Sequence, residues 1–164
     1  MSSIHEQRPL VSVVIPTRNR LHWLKHALES VFQQTYPAID IIVVDDASSD
    51  NTRDMLNHLA QKRSNLRVIY NEVAQGPCPS RNKGLRAALG ELITFLDDDD
   101  EWVPERLQIL VDNYDTEYAY VCSDYWIRNS RGLMRQRLPR IINYQDMLYR
   151  NRTGNTVLAR TKHV

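Results

Sequence analysis

The feature that most constrains the fold is an apolar run that does not alternate with polar residues. Residues 39–44 read Ile-Asp-Ile-Ile-Val-Val, which is almost continuously apolar and rich in β-branched side chains. Such a run is typical of a parallel strand with both faces covered by helices, because a strand with one solvated face alternates. Residues 10–16 and 92–96 form similar short runs, which predict further strands of the same sheet.

Predicted helices separate these strands. Residues 21–34 and 52–62 carry apolar side chains at helical spacing, and Trp23 of the first is predicted to pack against the core. Further helices are predicted at residues 80–89, 104–114 and 144–150. Further strands are predicted at residues 66–70, 117–123 and 156–159, with a hairpin at 125–137. Alternating strands and helices predict a right-handed βαβ array. We therefore expect an α/β, Rossmann-like domain whose mostly parallel central sheet has helices on both faces.

Four consecutive aspartates, Asp97 to Asp100, follow the predicted strand at 92–96 directly. Neighbouring carboxylates about 6 Å apart repel by roughly 3 kcal/mol at an effective dielectric near 20, and by less when exposed. A hard divalent cation would relieve this repulsion, since carboxylate oxygens suit such ions. Capping of a helix that begins at Pro104 accounts for Asp100 at most. A solvated acidic loop remains the alternative.

Polar residues also follow the first two predicted strands. Pro16, Thr17 and Arg18 end the first run, and Asp45 and Asp46 end the second. Because ligands of an open parallel sheet bind outside the carboxyl ends of its strands, these residues and the acidic run should meet at one edge. Asp45 and Asp46 alone would be typical of a turn or a cap. Their joint placement with the other clusters favours a binding site.

The predicted ligand of this edge is a metal-bound nucleoside diphosphate. No GxGxxG follows the first strand and the chain has no GxxxxGK[ST], so the common phosphate-cradling loops are absent. Carboxylates repel a diphosphate unless a divalent cation joins them. Arg81, on the helix before the acidic strand, is placed to contact the base or a phosphate, although it could equally be a solvated helix arginine. A metal-dependent nucleotidyltransferase is an alternative, but it would normally carry a glycine-rich basic loop after strand one.

Charge and composition exclude other classes. The 164 residues include 21 Lys and Arg and 20 Asp and Glu. The resulting net charge of +1 provides no positive electrostatic potential that would attract nucleic acid. No apolar stretch approaches the ~20 residues of a membrane span, and residues 1–8 lack the apolar core of a signal peptide. Cys78 and Cys122 have no CxxC spacing. We expect a cytoplasmic protein that could work at the inner face of the membrane.

Four segments in order resemble the motifs of family 2 glycosyltransferases with the GT-A fold. They are residues 11–20 (VSVVIPTRNR), 42–50 (IVVDDASSD), 76–84 (GPCPSRNKG) and 95–100 (FLDDDD). The resemblance is strong over residues 10–115 and loose beyond them. It implies an inverting glycosyltransferase that uses a nucleotide-diphosphate sugar, most commonly a UDP-sugar, and Mn²⁺ or Mg²⁺. The implied acceptor is a hydroxyl of a carbohydrate or lipid-linked molecule, and bacterial surface polysaccharide synthesis is the pathway expected by analogy.

The resemblance also implies which residues hold the nucleoside. Pro16, Thr17 and Arg18 would line the nucleoside pocket. Asp45 or Asp46 would take the base. These roles are implied by position within the family motifs, and the choice between the two aspartates stays open.

The acidic run matches the DXD motif of the family. Asp99 would be the metal ligand, with Asp97 as a second candidate ligand. Asp97 or Asp98 would lie near the ribose, and Arg81 would reach the base or the diphosphate. Because the run has four aspartates, the register of the motif is open by one residue.

The general base of the family has no clear counterpart. Inverting members use an acidic residue well after the DXD motif, and residues 154–158 (GNTVL) resemble the segment just before it. No Glu or Asp follows Asp146, so the base is expected beyond Val164, with Asp124 as a weak candidate.

We therefore expect residues 1–164 to form a single nucleotide-sugar-binding domain, with the acceptor and catalytic-base part apparently missing. Weak or absent sugar transfer is the expected result. A catalytically inactive nucleotide-sugar-binding module is the alternative. Apolar faces that a missing part would cover could also promote a homodimer.

Overall fold

A computed structural model describes residues 8–138 and 156–163 of the chain. The strands are β1 (Val11–Thr17), β2 (Ile39–Asp45), β3 (Leu66–Tyr70), β4 (Leu92–Phe95), β5 (Tyr120–Cys122), β6 (Tyr125–Asn129), β7 (Gly132–Gln136) and β8 (Val157–Arg160). The helices are α1 (Leu21–Phe32), α2 (Thr52–Lys62), α3 (Pro77–Ala87) and α4 (Arg106–Asp112), and a 3₁₀ turn spans Thr161–His163. The predicted helix at residues 144–150 lies outside the described residues.

Six strands form one sheet in the order β3-β2-β1-β4-β8-β5. The first four of these are parallel, which confirms the prediction of a mostly parallel central sheet. β8 is antiparallel to both of its neighbours and lies between β4 and β5. β6 and β7 form the predicted hairpin as a separate sheet. The pairing of Thr17 with Asp45 brings the ends of β1 and β2 level at one edge.

Helices cover both faces of the sheet, as the continuous apolar runs predict. On one face, Val13 and Ile15 of β1 share a cluster of buried side chains with Leu28 of α1, Leu56 of α2 and Leu107 of α4. On the other face, the buried side chains belong to β1, β2 and β4, and the partly buried Leu85 of α3 packs against them. Because Val13 and Val14 point to opposite clusters, one strand contributes to both cores.

Several details differ from the sequence prediction. α4 begins at Arg106 rather than at Pro104, and β5 covers only Tyr120–Cys122 of the predicted 117–123. α3 begins at Pro77 rather than at Ser80, since a proline in the first turn needs no N–H partner and Gly76 adopts the positive φ of 95° that precedes it. Trp23 is 53% exposed, so the prediction that it packs in the core was wrong. The buried stripe of α1 begins one residue later, at Leu24, about 100° further round the helix.

Asp40 of β2 ties the amino-terminal ends of the strands together. Its carboxylate accepts hydrogen bonds from Ser12 Oγ at 2.7 Å, from the Arg67 guanidinium at 2.7 to 3.0 Å and from the Leu89 amide at 3.2 Å. Arg67 also donates to the carbonyl of Ala87 at 2.8 Å. This network joins three neighbouring strands to the end of α3, and it therefore sets where β4 enters the sheet.

Asp40→Ala should lower the free energy of unfolding by about 2–3 kcal/mol, because the buried Ser12 hydroxyl loses its acceptor and the Arg67 guanidinium loses its partner carboxylate and keeps only the Ala87 carbonyl. Asp40→Asn keeps the shape of the side chain and should cost less. Urea unfolding followed by circular dichroism measures both. Asp54→Ala is the control, because Asp54 is exposed on α2; an equal loss in that variant would contradict the structural role of Asp40.

None of the helices within residues 8–138 and 156–163 combines the length and the apolar character that crossing a membrane requires.

Candidate functional site

A cavity of about 440 Å³ lies at the carboxyl ends of β1, β2 and β4. Its volume is within the range of about 300–1,000 Å³ that is usual for small-molecule sites. The residues that line it are Pro16, Thr17, Arg18, Arg20, Asp46, Gly76, Pro77, Ser80, Arg81, Asp97, Asp98 and Asp99. The structure thus brings together every predicted site residue except Asp45 and Asp124.

Thr17 and Asp98 join the ends of β1 and β4. Thr17 Oγ1 donates a hydrogen bond of 2.7 Å to Asp98 Oδ2, and both side chains are buried. The pairing of Val14 with Phe95 in the parallel ladder explains this contact, since three further residues on each strand bring 17 opposite 98. Asp98 is therefore the buried member of the acidic run, and its carboxylate is held in place by Thr17.

Arg20 bridges two of the aspartates. Its Nη1 lies 3.1 Å from Asp98 Oδ1 and 2.8 Å from Asp99 Oδ2. The charge of Asp98, more than that of Asp99, raises the pKa of the Arg20 guanidinium. Arg20 immediately precedes α1, and sequence reasoning assigned it no role at the site. The available signal was its position at the end of the polar turn that follows β1, close to Thr17 and Arg18.

Arg81 of α3 pairs with the first aspartate of the run. Its Nη2 donates a hydrogen bond to Asp97 Oδ1. Arg81 Nε is buried and has no hydrogen-bond partner among the described residues. Arg81 lines the cavity, and an arginine in such a wall can bind a phosphate or carbonyl oxygen of a ligand. The geometry therefore favours the site reading of Arg81 over that of a solvated helix residue.

Asp46 organises the loop that leads into α3. Its carboxylate accepts hydrogen bonds from Asn71 Nδ2 at 2.7 Å and from the amides of Gln75 at 2.9 Å and Gly76 at 2.8 Å. Burial raises the pKa of Asp46, but these hydrogen bonds together outweigh it and hold the pKa below its ordinary value. Sequence reasoning did not assign roles to Asn71 or Gln75, because nothing in a loop sequence shows where its amides point.

Asp46→Asn should lower the free energy of unfolding at pH 7 by about 1–2 kcal/mol. The asparagine amide has only one acceptor oxygen and therefore cannot accept all the hydrogen bonds that the carboxylate accepts. A depressed folded-state pKa stabilises the protein above the unfolded pKa of about 3.9, and this contribution is lost as the pH falls through the lower folded value. The difference between wild type and variant should therefore shrink below about pH 4. Urea unfolding at pH 7 and pH 3 measures it, and a difference that is independent of pH would contradict the assignment.

Asp45 and Asp124 lie away from the cavity wall. Asp45 is fully buried; its Oδ1 accepts a hydrogen bond of 3.2 Å from the Ser48 amide, and its Oδ2 has no partner among the described residues. Asp124 accepts hydrogen bonds from the Leu138 amide and from Arg135, at 2.8 Å each. The bond from Leu138, followed by that from Arg135, lowers the pKa of Asp124, which makes it a weaker base. Asp45 and Asp46 were the two candidates for contact with the nucleobase, and of these only Asp46 lines the cavity.

The loops that follow β1 and β2 are clasped together beside the cavity. Asn19 Oδ1 accepts a 2.7 Å hydrogen bond from the Ser49 amide, and the Asn19 amide donates a 2.9 Å hydrogen bond to Ser48 Oγ. Asn19 and Ala47 both have positive φ, at 54° and 58°. For an alanine this conformation is strained. The clasp therefore joins two left-handed turns at the rim of the site, of which the one at Ala47 is strained.

The acidic wall fits a cation that is shared with a ligand. Within residues 8–138 and 156–163, no three His, Cys, Asp or Glu side chains are grouped to hold a metal ion by themselves. Mg²⁺ and similar ions are commonly held by one or two carboxylates and completed by substrate phosphates and water. Asp97 and Asp99 line the cavity, and the Asp99 side chain is half exposed. This set of oxygen donors suits such a shared ion, and it does not suit one held by protein alone.

The chain matches a known protein family over most of its length. The family model described as Glycosyl transferase family 2 matches residues 12–162, a range that contains all the cavity residues. A GalNAc(5)-diNAcBac-PP-undecaprenol beta-1,3-glucosyltransferase of Campylobacter jejuni is 36% identical over 129 residues, which are 78% of this chain and 42% of the relative. The UDP-Glc:alpha-D-GlcNAc-diphosphoundecaprenol beta-1,3-glucosyltransferase WfaP of Escherichia coli is 35% identical over 154 residues, which are 91% of this chain and 60% of the relative. The chain thus spans about half the length of the curated relatives it matches.

Solved structures show the same architecture. TarS 1-349 of S. aureus in complex with UDP-GlcNAc matches with a TM-score of 0.76 and 27% identity, over 93% of this chain and 45% of that TarS chain. The mannosyltransferase PcManGT of Pyrobaculum calidifontis, in complex with GDP-Man and Mn²⁺, matches with a TM-score of 0.66 and 27% identity, over 73% of this chain and 37% of the mannosyltransferase. The chain belongs to glycosyl transferase family 2 and has the GT-A fold.

Proposed function

We propose that the chain binds a nucleotide-diphosphate sugar and supplies the donor site of an inverting glycosyltransferase of bacterial surface polysaccharide synthesis. The observation that carries the proposal is that residues from four separate sequence motifs line one cavity of about 440 Å³. Relatives that are named as glucosyltransferases of diphosphoundecaprenol-linked sugars support the pathway and a lipid-linked acceptor. The structural likeness to TarS, a protein bound to UDP-GlcNAc, favours a uridine donor.

The nucleoside would lie against the ends of β1 and β2. Pro16 and Thr17 form the wall beside β1, and Asp46 faces the same space from β2. The ordered carboxylate of Asp46 can accept from a base N–H or a ribose hydroxyl. Three donors from the loop between β3 and α3 already hold the Asp46 carboxylate. Its orientation is therefore set before a nucleotide binds.

The diphosphate would lie between the arginines and the acidic run. Arg18 and Arg81 line the cavity, and an arginine guanidinium suits the oxygens of a phosphate. Asp99 and Asp97 would hold Mn²⁺ or Mg²⁺, which when bound supplies Lewis-acid stabilisation of the charge on the leaving diphosphate. Arg81 keeps Asp97 oriented through its hydrogen bond.

A general base is not evident among the described residues that line the cavity. Its four carboxylates are Asp46, Asp97, Asp98 and Asp99, and each accepts a hydrogen bond from another side chain. Activation of the acceptor hydroxyl would therefore fall to another residue. This observation favours a second candidate function, a nucleotide-sugar-binding module without transfer. The family match gives no support to a nucleotidyltransferase.

Calorimetric titration with UDP, GDP, CDP and dTDP, each with and without Mn²⁺, tests the donor site and identifies the base. We expect UDP to bind, and to bind much more tightly with Mn²⁺ than without it. Absence of binding by all four nucleotides in the presence of Mn²⁺ would contradict the proposal.

An assay with a UDP-sugar and a diphospholipid-linked acceptor separates the two candidate functions. Product formation by this chain supports the transferase. Donor binding without product supports the binding module.

A further inference from the structure

Arg20 bridges Asp99, one of the two carboxylates proposed to hold the cation, and the neighbouring Asp98. A single nitrogen, Nη1, lies 3.1 Å from an oxygen of Asp98 and 2.8 Å from an oxygen of Asp99. Asp98 is almost fully buried, whereas the side chains of Arg20 and Asp99 are each half exposed. The guanidinium thus does for these carboxylates what a metal ion would do, because it neutralises their repulsion from one point.

The backbone under Arg20 is fixed, while its side chain has room to move. Asn19 is clasped to Ser48 and Ser49 by hydrogen bonds of 2.9 and 2.7 Å, and α1 begins at Leu21. Within residues 8–138 and 156–163, the Arg20 side chain forms hydrogen bonds and ion pairs with the two aspartates alone, and it lies in the cavity wall. A rotation of this long side chain would carry the positive charge from the acidic run towards the cavity without any backbone change.

The charges of the cavity disfavour binding of the metal or the nucleotide alone. Three arginines and four aspartates line it, so its formal charge is −1. A divalent cation alone must compete with Arg20 for Asp99. A dianionic diphosphate alone meets the carboxylates, while Arg20 is still held by them. When both enter together, their charges cancel and the displaced guanidinium gains an anionic partner.

We infer that Arg20 is a positioning residue that pairs with Asp99 while no metal is bound. When the metal and the diphosphate bind together, the metal takes the Arg20 position on Asp99 and the Arg20 guanidinium pairs with the diphosphate. This inference rests on the proposed donor site. This exchange of partners by Arg20 makes metal binding and nucleotide binding cooperative. The effect adds to the coupling that arises when one ion contacts both the protein and the diphosphate.

Mn²⁺ binding without nucleotide is the first test. Electron paramagnetic resonance of free Mn²⁺ should show that Arg20→Gln binds the ion about tenfold more tightly than wild type, the equivalent of two partly exposed ion pairs. Arg18→Gln is the matched control, since it removes the same charge from the same wall, and Arg18 is not among the arginines that form ion pairs with the acidic run in the described part of the chain. Unchanged or weaker Mn²⁺ binding by Arg20→Gln would overturn the inference, as would an equal gain in Arg18→Gln.

Calorimetry of Mn²⁺ in the presence of saturating UDP is the second test. The factor by which UDP tightens Mn²⁺ binding should fall about tenfold in Arg20→Gln, because the variant has no displaced guanidinium to give to the diphosphate. Arg20→Lys should keep most of the coupling. A coupling factor equal to wild type in Arg20→Gln would overturn the inference, and matching thermal unfolding curves exclude a folding defect.

The two proposals fail in different ways. If no variant binds UDP while Arg20→Gln still gains affinity for Mn²⁺, the donor function is wrong and the competition between Arg20 and the ion stands. If UDP and Mn²⁺ bind normally while Arg20→Gln leaves Mn²⁺ affinity unchanged, the donor function stands and the role of Arg20 is wrong.

Discussion

Gly90→Ala is expected to lower the free energy of unfolding by about 3 kcal/mol or more, at the upper end of overpacking effects. A Cβ at this position would lie 2.5 Å from the Leu10 carbonyl oxygen, 2.6 Å from the Ser12 nitrogen and 2.8 Å from the Leu92 carbonyl oxygen. All three atoms belong to the backbone where β1 and β4 begin, so no side chain can move aside. The Gly90 amide also donates a 2.9 Å hydrogen bond to Ser12 Oγ, which anchors the turn in place.

Urea unfolding followed by circular dichroism measures this loss. Leu89→Ala is the matched control, because Leu89 is the preceding residue and is 68% exposed; its effect should stay within about 0.5 kcal/mol. Gly84→Ala should be less severe, since its added methyl meets the side chain of Val14 rather than backbone. A Gly90→Ala variant as stable as the control would show that α3 and β4 are not joined as described.

Asp99→Ala is expected to weaken Mn²⁺-dependent UDP binding by about 100-fold. Mutating a residue that only supports a metal ligand typically costs about 10- to 100-fold in metal affinity, so a loss of about 100-fold is a modest value for a ligand itself. The side chain lines the cavity and is half exposed, so its oxygens are accessible to an ion that also contacts the ligand. Binding of UDP without metal should not weaken and should rise somewhat, because the lost carboxylate repels the diphosphate and pairs with Arg20.

Calorimetry with and without Mn²⁺ separates these effects. Asp100→Ala is the control: it removes the same charge from the next position, and Asp100 is exposed and is not among the residues that line the cavity. Equal losses in both variants would mean that the acidic run acts only through its total charge. In that case the assignment of Asp99 as a metal ligand would be wrong.

The sheet and the meeting of its polar ends follow from local sequence. The continuous apolar runs predict strands buried on both faces, and the rule that parallel strands end at one edge places Thr17, Asp46 and the acidic run together. The structure confirms this juxtaposition, down to a 2.7 Å contact between side chains that are 81 residues apart in the chain. The metal ligands, the nucleotide and the homodimer stay predictions.

Other features depend on geometry that no pattern encodes. The bridging of two aspartates by Arg20 depends on the turn before it, in which Asn19 adopts a positive φ of 54°. The insertion of β8 between β4 and β5 depends on long-range pairing, and a four-residue strand carries too little local signal to specify its neighbours. The amides that fix Asp46 lie in an irregular loop. The exposure of Trp23 shows that an apolar residue in an amphipathic helix need not lie on the buried stripe.

Amide chemical-shift mapping with UDP and Mg²⁺ tests the donor cavity most directly, because it shows where on this chain the nucleotide binds. The expected result is saturable shifts at Thr17, Arg18, Gly76, Arg81 and Asp99, which share the cavity wall. The hairpin of β6 and β7 contributes no lining residue and should not respond. Saturable shifts confined to residues outside the cavity, or no shifts at millimolar nucleotide, would contradict a donor site at the carboxyl edge of the sheet.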